Sequence, residues 1–139
     1  MLARAFPFLA TVILLFPMGV FMLASPPLLV LKHDTPLDGR FIRGLFNIYY
    51  VSVMVVATAG ALGCILVGKT GVAAAMGGLV LVVFGMRRWM ILKMDNLREA
   101  IARGESGAIP GFRRLHLAGM ALNICQLAGV AWGMTRLAT

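Results

Sequence analysis

Four stretches of about twenty consecutive apolar residues constrain this chain more than any other feature. They run from about 8 to 30, 47 to 67, 72 to 91 and 115 to 134, and each matches the ~20 helical residues that cross ~30 Å of hydrocarbon. With 60% hydrophobic and only 13% charged residues, the chain has too little polar surface to cover a water-soluble globule. In lipid every backbone group must find its partner within the protein, which leaves helices or a closed barrel. Barrel strands alternate apolar and polar residues, whereas these runs are continuous, so helices are expected. The sequence therefore predicts an all-α fold: one integral membrane domain over residues 1–139, a four-transmembrane-helix bundle, antiparallel and up-down.

The breaks between the runs set the topology. Arg4 ahead of the first run gives it the look of a secretory signal, with Ala24 and Ser25 near a would-be cleavage point. Pro26 and Pro27 follow directly, and the expectation is a retained span whose last turn they end or distort. Pro17, inside that span, removes a helical hydrogen bond and should bend the axis. Residues 31–46, with Lys32, His33, Asp34, Pro36, Asp38, Arg40 and Arg43, read as the first loop. Gly68, Lys69, Thr70 and Gly71 read as a tight turn that makes a hairpin of spans two and three. Beyond Trp89, Met90, Met94, Leu97 and Ile101 recur at helical spacing among charged residues, which predicts a short amphipathic extension of the third helix on or projecting from the membrane surface. Gly104 to Gly111 should break it before Arg113 and Arg114 lead into the last span.

Orientation follows from the basic residues. Arg4, Lys69 and Arg136 lie on one side; the remaining ten of the 13 Lys and Arg lie in or beside loops 31–46 and 92–114. Those loops are expected to be cytoplasmic, with both termini on the opposite side. A charge of +8 invites a nucleic-acid reading, but no basic stripe interleaved with exposed aromatics lies outside the apolar runs, so lipid headgroups are the expected contact.

Chemistry-bearing groups are few. Cys64 and Cys125 sit in apolar runs without CxxC or metal-ligand spacing and are expected to be small buried hydrophobes. The ten methionines form no repeated pattern and read as packing. The spans contain no Asp, Glu or Lys, which argues against a pump or proton-coupled transporter. The informative stretch is His116, Met120 and Asn123, one stripe of the last helix, with Gln126 a turn further on. Polar groups at that depth should face the bundle, where they serve as interhelical glue or as a ligand site. Asn47 and Tyr50, three residues apart at the start of span two, are expected to share a face and to join His116 and Asn123 in one cytoplasmic-side polar cluster. His33, the other histidine, belongs at the same end and can meet His116. No metal motif is present, since two histidines in separate loops have no ligand spacing. Gly129 and Gly133 form a GxxxG pair, a small-residue seam of the kind that lets helices approach closely.

The run Phe112, Arg113, Arg114, Leu115, His116, leading through Asn123 into an apolar helix, resembles the last span of small four-helix membrane proteins of the transmembrane protein 205-like and anthrone-oxygenase-like families. The region of Gly39, Arg40, Phe46, Tyr49 and Tyr50 adds to the likeness. The resemblance implies a four-helix bundle, singles out His116 and Asn123, and implies little about activity.

Three functions are compatible with these readings. The leading expectation is a non-enzymatic accessory or scaffolding subunit that packs against itself or other membrane subunits, because catalytic constellations are lacking and small residues line the helices. The alternative is a site for a quinone, haem or other hydrophobic small molecule at His116, Asn123, Asn47 and Tyr50. The third is an oligomeric channel or transporter.

Overall fold

The computed structural model describes residues 2–138, and their side chains from 5 to 135. Helix α1 runs over Leu2–Ala24, α2 over Pro36–Leu66, α3 over Thr70–Ala102 and α4 over Ala108–Ala138, with a 3-10 segment at Pro26–Val30. No strand occurs among these residues. All four helices are long and apolar enough to cross a membrane, so the chain is a multi-pass, all-helical membrane protein.

The helices overrun the bilayer at one end. Helix α3 has 33 residues and α2 has 31, about 46–50 Å at ~1.5 Å per residue, against ~30 Å of hydrocarbon. The excess corrects the expected loop lengths. Residues 36–46 are the first three turns of α2, not loop, and the linker before them is only 31–35. The local chemistry explains the early start. Thr35 caps the helix by accepting the Asp38 amide at 3.2 Å, Pro36 occupies the first turn, and Asp38 complements the positive end of the helix dipole. Likewise α4 resumes at Ala108 after a turn at Gly104 with φ +85°, a conformation glycine adopts without strain.

The three projecting ends form a charged headpiece. Arg43 grips Asp95 with two bonds of 3.0 and 3.1 Å, Arg98 adds a third at 3.2 Å, and Arg87 on α3 donates to Asn47 Oδ1 on α2 at 2.7 and 3.1 Å. These ion-pair side chains are about one-third exposed, so each pair contributes at most about 1 kcal/mol. Their value lies in register. The extension of α3 is not a separate segment: the helix runs unbroken over Thr70–Ala102, with Met90 and Met94 fully buried against its neighbours.

Packing follows heptad-like spacing. On α2 the buried positions are Gly39, Ile42, Phe46, Tyr49, Tyr50, Val53, Ala57, Gly60 and Cys64, a continuous stripe that faces the other helices. Helix α4 behaves differently along its length. Phe112, Leu115, His116, Gly119 and Asn123 are buried, but none of the described residues beyond Asn123 is. Cys125, expected to be buried, is exposed on that outer half, while Cys64 is fully buried. Depth along a span does not fix which side a residue faces.

Candidate functional site

The headpiece end of the bundle holds a buried polar chain built from three elements. Ser25 closes α1: its amide bonds to the Phe21 carbonyl at 2.9 Å, and the prolines that follow stop the helix and turn the backbone inward. Its hydroxyl meets His116 Nε2 at 2.8 Å, and His116 Nδ1 meets His33 Nε2 at 3.2 Å. Ser25, His33 and His116 are all at most 1% exposed. The linker, the end of α1 and α4 are thus tied together at one point.

Aromatic rings enclose this chain. Phe46 stands edge-on to His116 at 5.6 Å, Phe112 lies 5.8 Å from His33, and Phe21 packs against both Phe46 at 4.8 Å and Tyr49 at 4.3 Å. Such surroundings disfavour charge. Burial, the largest influence, holds the His33 pKa below its ordinary 6.5; Arg113 acts in the same direction, and the Leu31 carbonyl, Asp38 and Asp34 oppose it. The neutral form is thereby favoured in the folded protein, so acid below about pH 6.5 works against folding here.

The four residues expected to form one cluster are divided. His116 belongs to the serine and histidine chain. Asn123 lies two turns deeper on the same face, where its Nδ2 donates to the Met18 carbonyl over a long 3.5 Å and its buried Oδ1 has no partner. Asn47 instead turns to Arg87 on α3. Tyr50 is buried among aromatics, 5.0 Å from Tyr49 and 6.2 Å from Phe46. The expected union of Asn47 with His116 does not form: three residues leave two side chains about 60° apart around a helix, enough to send one to α3 and the other to the core.

Gln126, expected to face the bundle, does so with partners that spacing did not name, and Ser25 is a residue the sequence reading missed. Tyr49 donates its hydroxyl to Gln126 Oε1, and Gln126 Nε2 reaches Met86 Sδ at 3.1 Å, joining α2, α4 and α3 near mid-depth. Ser25 gave no signal, because nothing in its neighbourhood marks it as polar core. Among the described residues no three His, Cys, Asp or Glu come together to hold a metal ion.

At the opposite end lies a crevice of about 440 Å³ lined by Thr11, Leu14, Gly71, Ala75, Gln126, Gly129 and Gly133, among others, from α1, α3 and α4. The Thr11 hydroxyl is already bonded to the Pro7 carbonyl at 2.8 Å, so the walls offer almost nothing but apolar contact. The crevice exists because small side chains on the outer half of α4 do not reach across to α3. Comparisons with family models, characterised proteins and solved structures found no match for the chain.

Proposed function

We propose that the chain is a non-enzymatic accessory or scaffolding subunit that assembles, with itself or with a larger membrane complex, through the creviced face of α3 and α4. The carrying observation is the unequal use of the helices. In their most apolar windows α1 and α2 bury 33% and 39% of their residues, against 17% for α3 and 11% for α4. Apolar exposure alone means little in lipid. A groove with Gly71, Gly129 and Gly133 in its walls is different, because in membranes small residues permit the close backbone approach that favours association.

The histidine chain supports this reading by what it does instead of catalysis. Its ring nitrogens face one another and the Ser25 hydroxyl, which is the arrangement of a fastening. The crevice of about 440 Å³ lies at the other end of the bundle. Kinship with the transmembrane protein 205-like and anthrone-oxygenase-like proteins, carried by Phe112 to His116 and Asn123, belongs to the same proposal, as does a headpiece on the cytoplasmic side with both termini opposite.

Two results are expected. Cys125 is exposed and lies one turn from Gly129, so a photo-crosslinking amino acid in its place, which inserts into C–H bonds and needs no thiolate at mid-span, should crosslink the chain in native membranes to a second copy or a partner subunit. Products of monomer mass alone would contradict assembly through this face. A Ser106→Cys variant should react with an impermeant maleimide only after cells are permeabilised; labelling of intact cells would reverse the orientation.

A further inference from the structure

His33 is the one non-glycine residue, among those described, with positive φ, at +62°. Histidine visits this region more readily than most residues, but it is still a strained conformation that the surroundings must hold in place. Here the holding contact is the 3.2 Å bond to His116 Nδ1. Apart from Phe112 beside His33 and Leu31 against the core, no hydrogen bond between backbone groups anchors the middle of the linker, since Leu31 bonds back to Leu28 at 3.2 Å and the α2 cap begins only at Thr35.

Counting protons shows what such a pair can carry. With both rings neutral, one nitrogen of the facing pair donates and the other accepts. One added proton can be accommodated: a fully protonated His33 still donates from Nε2 to a lone pair on His116 Nδ1, while His116 Nε2–H donates to Ser25. That state leaves the other His33 nitrogen, Nδ1, carrying a proton in a buried position with no well-formed hydrogen bond, supported only by the nearby Leu31 carbonyl. A second proton places N–H against N–H, and the bond is gone.

The groups around the pair come from every adjoining element. Helix α4 supplies Arg113 and Phe112, the linker supplies Asp34, the start of α2 supplies Asp38 and its third turn Phe46, and the end of α1 supplies Ser25. Arg113 opposes added positive charge, whereas Asp34 and Asp38 favour it at the outer ring, His33. His116, farther in, has no carboxylate near it among these groups.

We propose that Ser25, His116 and His33 form an acid-released latch: protonation of the histidine pair detaches the 31–35 linker from α4 and opens the seam between α1 and α4 at the headpiece. Release relaxes the strained backbone at His33 and lets water reach both rings, so opening and proton uptake reinforce each other.

Amide hydrogen exchange in detergent or lipid discs, corrected for the intrinsic pH dependence of exchange, reads the latch directly. Amides 32–35 should lose protection at least tenfold between pH 7.5 and 5, while the Gly68–Lys69 turn at the other end stays constant. His33→Gln, which hydrogen-bonds but does not titrate, should remove that pH dependence. A linker whose protection is flat with pH, or a His33→Gln protein that opens with acid as the wild type does, overturns the proposal. Imidazole Cε1–H resonances of the wild-type protein provide a second test that needs no variant. The first proton leaves the facing bond intact, so opening should accompany uptake of the second; doubly protonated rings in a closed linker, or opening while both rings stay neutral, overturns it as well.

Discussion

Gly119→Ala should destabilise the protein by about 1–3 kcal/mol, the range for forcing extra volume into a packed interior. A Cβ at this position would fall within the ring of Phe46. That ring cannot step aside, because it is completely buried and held between Phe21 at 4.8 Å and His116 at 5.6 Å. The remaining response is for α2 and α4 to separate, which loosens the histidine chain too. Gly129→Ala is the matched control: nothing lies within 4 Å of its added carbon, and alanine favours helix more than glycine does. Thermal unfolding of both variants in one detergent checks the contrast. Equal melting temperatures would mean that the Phe46 ring is not wedged as described.

His116→Ala should cost more, about 3–5 kcal/mol. The substitution opens a cavity in a fully buried site and leaves the Ser25 hydroxyl and His33 Nε2 without their partner, each an unsatisfied group worth ~1–3 kcal/mol. The total is held below the simple sum because the linker can swing His33 toward water. Asn47→Ala, by comparison, removes an acceptor from a partly buried Arg87 that can rehydrate, and should cost about 1 kcal/mol. Denaturant or thermal titration that ranks Asn47 above His116 would show that the α2–α3 seam, not the α1–α4 fastening, governs stability.

How much of this was legible depended on the kind of question asked. Helices and their number follow from apolar run length, and the α2–α3 turn follows from Gly68, whose φ of +74° suits glycine. Helix ends did not follow, although the signals were present. Thr35, Pro36 and Asp38 are a helix start, yet the polarity of 36–46 marks the edge of the membrane, and a helix need not end where the hydrocarbon does. The stripe Gly39, Ile42, Phe46 was the second clue.

The site was legible only in part, for a related reason. His116 and Asn123 share a helix face by spacing alone. Their partners Ser25 and His33 arrive from separate, irregular segments, and only the folded path of the linker brings them in. Cys125 and Asn47 show the limit of depth and spacing arguments: both lie where expected along the chain and face the other way around the helix.

The central claim is that the outer face of α3 and α4 is an assembly surface, and Gly129→Leu tests it most directly. The position is exposed and a Cβ there meets no atom within 4 Å, so the bulky side chain should fill the crevice without disturbing the chain's own fold. Masses of wild type and variant, extracted from native membranes with their surrounding lipid, should differ: the wild type as an oligomer or with a partner subunit, the variant as a folded monomer. A wild type that is monomeric under these conditions, or a variant that keeps the same assembly, would contradict the account.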